Sequence, residues 1–407
     1  MRSMRSTPAR LRGRALVRDP DEGHRTSTPL ELLYDLTAVV GVARAASSLH
    51  HELAADHIGQ ALIGYSTVFF AVWWAWMNFT WFASAHDSDD VPYRLLTLVQ
   101  MAGVLVLAAG VTSASEDGEF LAVTVGYAIM RLGLVPGWLR VARDEPTMRL
   151  RAQRYALGIT VLQVLWFLRL ALPEDLQVPG FLVLAGCELL VPLWAERATG
   201  RPVFHSGHIE ERYGLFTIIV LGESILSATM GIQAALDETG LTSQLLTIGI
   251  SGLVLAFAAW WIYFDHPGHL SPTPDMAFRW GYAHVGIFAS LAAMGAGLHL
   301  ASEASSGHAD ERVAALAVAL PTAGYLLGLA LVMTSAGIAV TDERVFPKLG
   351  GAAVLVAIGA TAPLSPAVVA CAVVMVVLTT TMVLSGPPPA RPSGRGEEGG
   401  LGEGVGR

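Results

Sequence analysis

Seven ionisable residues of this chain sit in or at the edge of long apolar runs: Glu31, Asp35, Arg44, Glu210, Glu223, His284 and His299. In hydrocarbon such a group costs at least about 2.5 to 3.5 kcal/mol on insertion scales, so it turns toward the interior of a helix bundle or a water-filled cavity and marks an ion, proton or substrate path. Glu31 and Asp35 are spaced to share one face near the start of the first run. Arg44 follows on the same run, roughly half a turn round from Asp35. Glu210, Glu211 and Arg212 open the seventh run, and Glu223 stands in its middle, in Leu221-Gly222-Glu223-Ser224. There Gly222 is expected to let another helix approach closely beside the carboxylate.

Arg44 and Glu223 are expected to meet. The pair serves either as a structural ion pair that fixes register, for which the gain is small because desolvation offsets the attraction, or as a gate that exchanges a proton or cation when it opens. His284 and His299 lie within about 60° of one face of the ninth run. The simpler expectation is that each is hydrogen-bonded to a neighbouring helix, and the sharper one is a proton path through groups that titrate near neutral pH. Arg131 and Glu188 suggest a second structural pair. His86, Asp87, Asp89 and Asp90 read as a solvated acidic loop, Trp73 to Trp81 as part of an interfacial aromatic belt, and Asp265-His266 as a helix terminus. No phosphate-cradling loop, H-E-x-x-H or G-x-S-x-G is present, so no enzyme is expected. Cys187 and Cys371 lie inside apolar runs without zinc-ligand spacing, and neither a metal nor a cofactor is expected.

The elements that must position these residues are membrane-spanning helices. With 53% hydrophobic and 15% charged residues and a mean hydropathy of +0.51, the 407-residue chain has too little polar surface to cover itself in water. Runs of roughly 20 apolar residues, the length that crosses about 30 Å of hydrocarbon, occur near 31 to 49, 58 to 84, 94 to 113, 120 to 141, 155 to 172 and 178 to 195. A second set lies near 213 to 231, 244 to 264, 277 to 300, 313 to 337, 349 to 362 and 366 to 385. The expected fold is an all-α integral membrane protein of about twelve transmembrane helices, in which the eleventh run is short enough to be re-entrant.

The bilayer is thus the first partner. The net charge of -8 is spread too unevenly to point to nucleic acid. Lys and Arg alternate between loops: Arg2, Arg5, Arg10, Arg12, Arg14, Arg18 and Arg25 precede the first run, and Arg140, Arg143, Arg149, Arg151 and Arg154, then Arg197, Arg201 and Arg212, then Arg344 and Lys348 fall on the same side. The intervening loops carry almost none, which places the N-terminus in the cytoplasm of a multi-pass protein of the inner (plasma) membrane. Residues 1 to 28 form a disordered Arg-rich arm without a signal-peptide core. Residues 29 to 196 and 205 to 385 form two six-helix halves, and the Pro/Gly/Glu-rich tail 386 to 407 is disordered.

The first and seventh runs superimpose at one constant offset, with Glu31 on Glu210, Tyr34 on Tyr213, Leu36 on Leu215 and Arg44 on Glu223. Trp73-Trp74 and Trp260-Trp261 echo each other in the runs that follow. Six crossings apart, the halves have the same orientation, a parallel 6+6 repeat of the kind used by transporters.

Two passages, Glu31-Leu32-Leu33-Tyr34-Asp35-Leu36 and Arg212-Tyr213-Gly214-Leu215-Phe216-Thr217-Ile218-Ile219-Val220-Leu221-Gly222-Glu223-Ser224, resemble the signature of the bacterial low-temperature-requirement A (LtrA) family, a likeness extending over residues 29 to 385. The first departs from the family's E-L-F-F-D-L-V-F-V pattern at Leu33-Tyr34 and at Thr37-Ala38 while keeping Glu31 and Asp35. The family is named for growth in the cold, and the resemblance implies a fold rather than an activity. A fainter likeness links the chain to two-repeat, six-plus-six helix potassium channels with an F-S-D motif, of which Leu33-Tyr34-Asp35 is a loose match.

The expected function is a secondary transporter or permease of a small solute or ion, with its site between the first and seventh runs: Asp35, Arg44 and Glu223, backed by Glu31, Glu210, His284 and His299. A cation channel and a non-transporting protein of cold adaptation are the alternatives.

Overall fold

A computed structural model of the protein describes residues 11, 13–15, 17, 26–198, 204–265, 270 and 273–386, except the side chains of 274 and 275. Most of the Arg-rich arm, Arg201, His266 and the tail from 387 onward lie outside the described residues. The described residues form helices and no strands: α1 (Pro29–Ala54), α2 (Ile58–His86), α3 (Val91–Ala109), the short α4 (Val111–Glu116), α5 (Leu121–Asp144), α6 (Arg149–Arg169), α7 (Glu174–Glu196), α8 (Ser206–Thr239), α9 (Ser243–Phe264), α10 (Pro274–Ser305), α11 (Glu311–Ser335), α12 (Phe346–Thr361) and α13 (Leu364–Leu384). A helix stands at each of the twelve apolar runs, α3 and α4 sharing one.

Among the described residues, ten helices are long and apolar enough to cross a bilayer. The two runs that fall short do so for different reasons. α6 opens with Arg149, Arg151 and Arg154, which lower its hydropathy, and α12, at 16 residues, is shorter than the roughly 20 that cross. Large aliphatic side chains on the outside of the bundle stand bare, Leu182 at 63% and Val183 at 65% exposure among them. A water-soluble chain does not carry so continuous an apolar exterior.

Helix starts follow local chemistry. Thr28 caps α1 in a full capping box: its hydroxyl accepts from the Glu31 amide while the Glu31 carboxylate takes the Thr28 N–H, and Pro29 occupies the first turn. The side chains of Asp90, Thr242 and Asp310 accept first-turn backbone N–H groups at the starts of α3, α9 and α11.

α1 lies at the centre of the bundle, in contact with α2, α3, α8 and α10. α10 is enclosed by α1, α8 and α11, and α3, α5, α6 and α7 pack in succession beside α1 and α2. The expected aromatic belt is instead core: Trp73, Trp74 and Trp76 are at most 1% exposed, because α2 is surrounded by other helices rather than lipid. The acidic loop is likewise only half solvated. Asp89 is exposed and pairs with Arg94, but His86 and Asp90 are buried. Asp90 receives Arg140 of α5 at 2.5 Å and the Gly13 amide at 2.8 Å, and Ala15 N–H donates to Asp144, so this part of the arm docks on the bundle.

The environments of the residues paired by the expected repeat are mixed: Tyr34 and Tyr213 are both fully buried, whereas the other pairs differ. Trp260 and Trp261 are 48% and 46% exposed where Trp73 and Trp74 are buried, and Arg44 is exposed where Glu223 is half-buried.

Candidate functional site

Thr28 and Glu31 are tied to each other by the cap, so the first turn of α1 is rigid and Asp35 follows one turn later on the same face. α8 crosses α1 at this level and brings His208 and Arg212 against them. Arg212 grips Asp35 with two nitrogens, Nε donating to Oδ2 at 3.1 Å and Nη2 to Oδ1, the fork geometry that suits guanidinium and carboxylate. Its Nη1 lies 3.3 Å from Glu31 Oε1, and the same oxygen is 3.3 Å from His208 Nε2. Trp76 of α2 donates its indole N–H to Asp35 Oδ1 at 2.7 Å.

All four charged or titratable side chains, Glu31, Asp35, His208 and Arg212, have 0% exposure. Aromatic rings seal them. Tyr34 stacks on Phe79 with centroids 4.0 Å apart, Trp76 stacks on Phe216 at 4.2 Å, and the Arg212 guanidinium sits 5.7 Å from the Phe79 ring centre. In so dry a place electrostatic interactions are strong, and an uncompensated charge is correspondingly costly. Among the described residues, the cluster holds two carboxylates and one permanent cation. Beside them, His208 adds a group whose charge can change by one proton.

The remaining expected site residues are not part of this cluster. Arg44 is exposed and donates to Thr112 of α4 at 3.3 Å instead of meeting Glu223. Glu223 is half-buried on α8 and makes no hydrogen bond or ion pair among the described residues, so the expected Arg44/Glu223 contact is absent. Helix phase fixes a residue only to within a face. Gly222 is exposed with no other helix against it, and the close approach falls one turn-face away, where Ser224 meets Gly295 of α10.

Glu210 accepts from the Leu270 amide at 2.6 Å. His284 hydrogen-bonds the Trp280 carbonyl of its own helix at 2.8 Å and is walled in by Trp280, Tyr213 and Phe288. His299, about 22 Å further along α10 at 1.5 Å per residue, stacks on His50 instead of continuing a path from His284. Arg131 and Glu188 do pair, at 3.3 Å, and Glu188 also accepts from Trp74, Tyr127 and Trp166. Asp265 accepts from the Trp261 indole at a helix end.

His208 and Arg212 are the functional candidates that sequence reasoning missed. Their only local signal is that Arg212 stands, with two acids before it, at the mouth of a long apolar run, where a cation needs a buried acid from elsewhere.

Residues 26–384 match the family described as Bacterial low temperature requirement A protein (LtrA). An uncharacterized protein of Rhizobium meliloti (strain 1021) is 27% identical over 246 residues, which is 58% of this chain and 58% of the relative, so the chain spans little more than half of that protein's length. No solved structure shows significant similarity. The chain is a multi-pass, all-helical membrane protein that belongs to the bacterial low temperature requirement A family.

Proposed function

We propose that the protein is a secondary transporter or permease that moves a small solute or ion across the plasma membrane, with the Glu31–Asp35–Arg212–His208 cluster between α1 and α8 as its coupling site. The observation that carries this is the charge balance of the cluster. Among the described residues, two carboxylates face one guanidinium in a fully buried place, and an imidazole able to hold or release one proton lies 3.3 Å from Glu31. Buried ion pairs contribute little net stability, whereas intramembrane ionisable groups characteristically serve ion and proton movement. The N-terminus is cytoplasmic in this proposal, on the Lys and Arg bias of the loops. The partners are the lipid bilayer and the transported solute; no enzymatic step and no cofactor is invoked.

The complete enclosure of the cluster favours a second role, a static staple of α1 to α8 that supports membrane organisation in the cold. Flux in proteoliposomes under separate proton, potassium and sodium gradients distinguishes the two. The transport proposal expects flux driven by the proton gradient in wild type and its loss in Glu31→Gln and His208→Gln variants that still elute as folded protein. Wild-type protein that moves no ion under any gradient, or variants with undiminished flux, would remove the coupling role and leave the staple.

A further inference from the structure

About 28 Å along α1 from Glu31, at the opposite end of that helix, His50 stacks flat on His299 of α10, with ring centroids 4.0 Å apart and planes 15° from parallel. Glu303 follows His299 by one turn on the same face of α10. Its Oε1 lies 3.5 Å from His299 Nε2 and 3.9 Å from His50 Nδ1, and one ligand atom from each of the three residues falls within 4.8 Å of the others. His50 Nδ1 and Glu303 Oε2 are buried without a hydrogen-bond partner. Each such orphan costs on the order of 1–3 kcal/mol, and two of them on facing residues make an odd arrangement for a merely structural contact.

The three donors suit a metal ion. In a tetrahedral zinc shell with bonds of about 2.0–2.2 Å, neighbouring ligand atoms are about 3.4 Å apart; the two separations to Glu303 are 3.5 and 3.9 Å, all three ligand atoms lie within 4.8 Å of one another, and the stacked imidazoles must turn out of their parallel arrangement for both nitrogens to face one ion. Two imidazoles and one carboxylate prefer zinc and its transition-metal neighbours, whereas magnesium and calcium require shells of oxygen. Three protein ligands leave a fourth position for water or a passing anion. The side chains are only partly buried, 13% exposed for His50 and His299 and 27% for Glu303, so an ion can enter from the end of the bundle.

We propose that His50, His299 and Glu303 form a binding site for a divalent transition-metal ion of the zinc class, which clamps α1 to α10 at the end of the bundle remote from Asp35 and Arg212. The site stands independently of any transport role. It was not legible from cysteine spacing, because it uses none, nor from His299 alone, because its partner imidazole is on another helix.

The test is calorimetric titration of zinc chloride into the full-length protein, purified in detergent and stripped with chelator, together with zinc K-edge absorption on the loaded protein. One ion per chain, two imidazole nitrogens in the first shell, and affinity lowered by more than about tenfold in Glu303→Gln and His299→Ala are expected. Glu303→Gln preserves side-chain shape and is the decisive variant; elution and melting temperature in chelator report whether it is folded. Should both variants fail to fold, the absorption spectrum of wild type decides alone. Absence of zinc binding by wild type, a first shell without imidazole, unchanged affinity in folded Glu303→Gln, or equal affinity for magnesium would each overturn the proposal.

Discussion

Arg212 on α8 holds Asp35 on α1 through Nε and Nη2 at once, and both side chains are completely enclosed. Removing one member of such a pair leaves the other buried and unmatched, which costs about 3–5 kcal/mol, while removing both costs far less. Asp35→Asn and Arg212→Gln are each expected to lower the melting temperature in micelles strongly, and the double variant to lose much less than their sum. A strictly additive double variant would mean that the two side chains do not act as a unit. Glu31 and His208 are left unaltered in the cycle, since Glu31 touches Arg212 and His208 touches Glu31.

Close packing of α8 on α10 yields a second prediction. A β-carbon on Gly295 would lie 2.6 Å from Ser224 Cα and 2.8 Å from its Cβ, atoms that a rotamer change cannot clear. Ser224 is further anchored by its hydroxyl, which donates to the Leu291 carbonyl of α10 at 2.8 Å. Gly295→Ala should therefore destabilise the protein by about 1–3 kcal/mol through overpacking. Gly222→Ala on the neighbouring helix meets nothing within 4 Å and should be neutral or slightly stabilising, because alanine favours the helix. Equal melting temperatures for the two variants would show that α8 and α10 are not packed this closely.

The membrane class of the fold was legible because its cause is local: hydropathy runs and caps are read within one segment, and every expected run carries a helix. The site was half legible. Glu31 and Asp35 stand out because an apolar run with two acids one turn apart demands an explanation, but their counter-ion belongs to α8 and nothing local names it. Arg44 and Glu223 show the reverse: they match by offset in sequence, yet Arg44 lies on the outside of α1 beside Thr112. Aromatic residues were misplaced where burial depends on neighbours: Trp73, Trp74 and Trp76 resemble an interfacial belt until α2 is seen to be enclosed. His50 is silent in the sequence because its significance depends on His299 and Glu303 arriving from α10.

Asp90, in the loop between α2 and α3, allows a prediction about acid. Burial on its own would raise the carboxyl pKa, but the Arg140 guanidinium, the Tyr93 and Gly13 amides and the positive field of Arg140 together hold it below the usual carboxylate range. A group whose folded pKa is depressed contributes stability that is fully present above the unfolded value, about 3.9, and is lost as pH falls through the folded one. Asp90→Asn keeps an oxygen for the Tyr93 amide, so the helix cap survives while the charge is removed. The melting temperature of wild type should thus exceed that of Asp90→Asn by a constant margin between about pH 5 and 7, and the margin should shrink progressively below about pH 4 as Asp90 takes up its proton. Because both proteins share every other carboxylate, their difference isolates this one. A margin that persists unchanged at pH 3, or is absent at pH 7, would mean that the ion pair between Asp90 and Arg140 does not fasten the loop to α5.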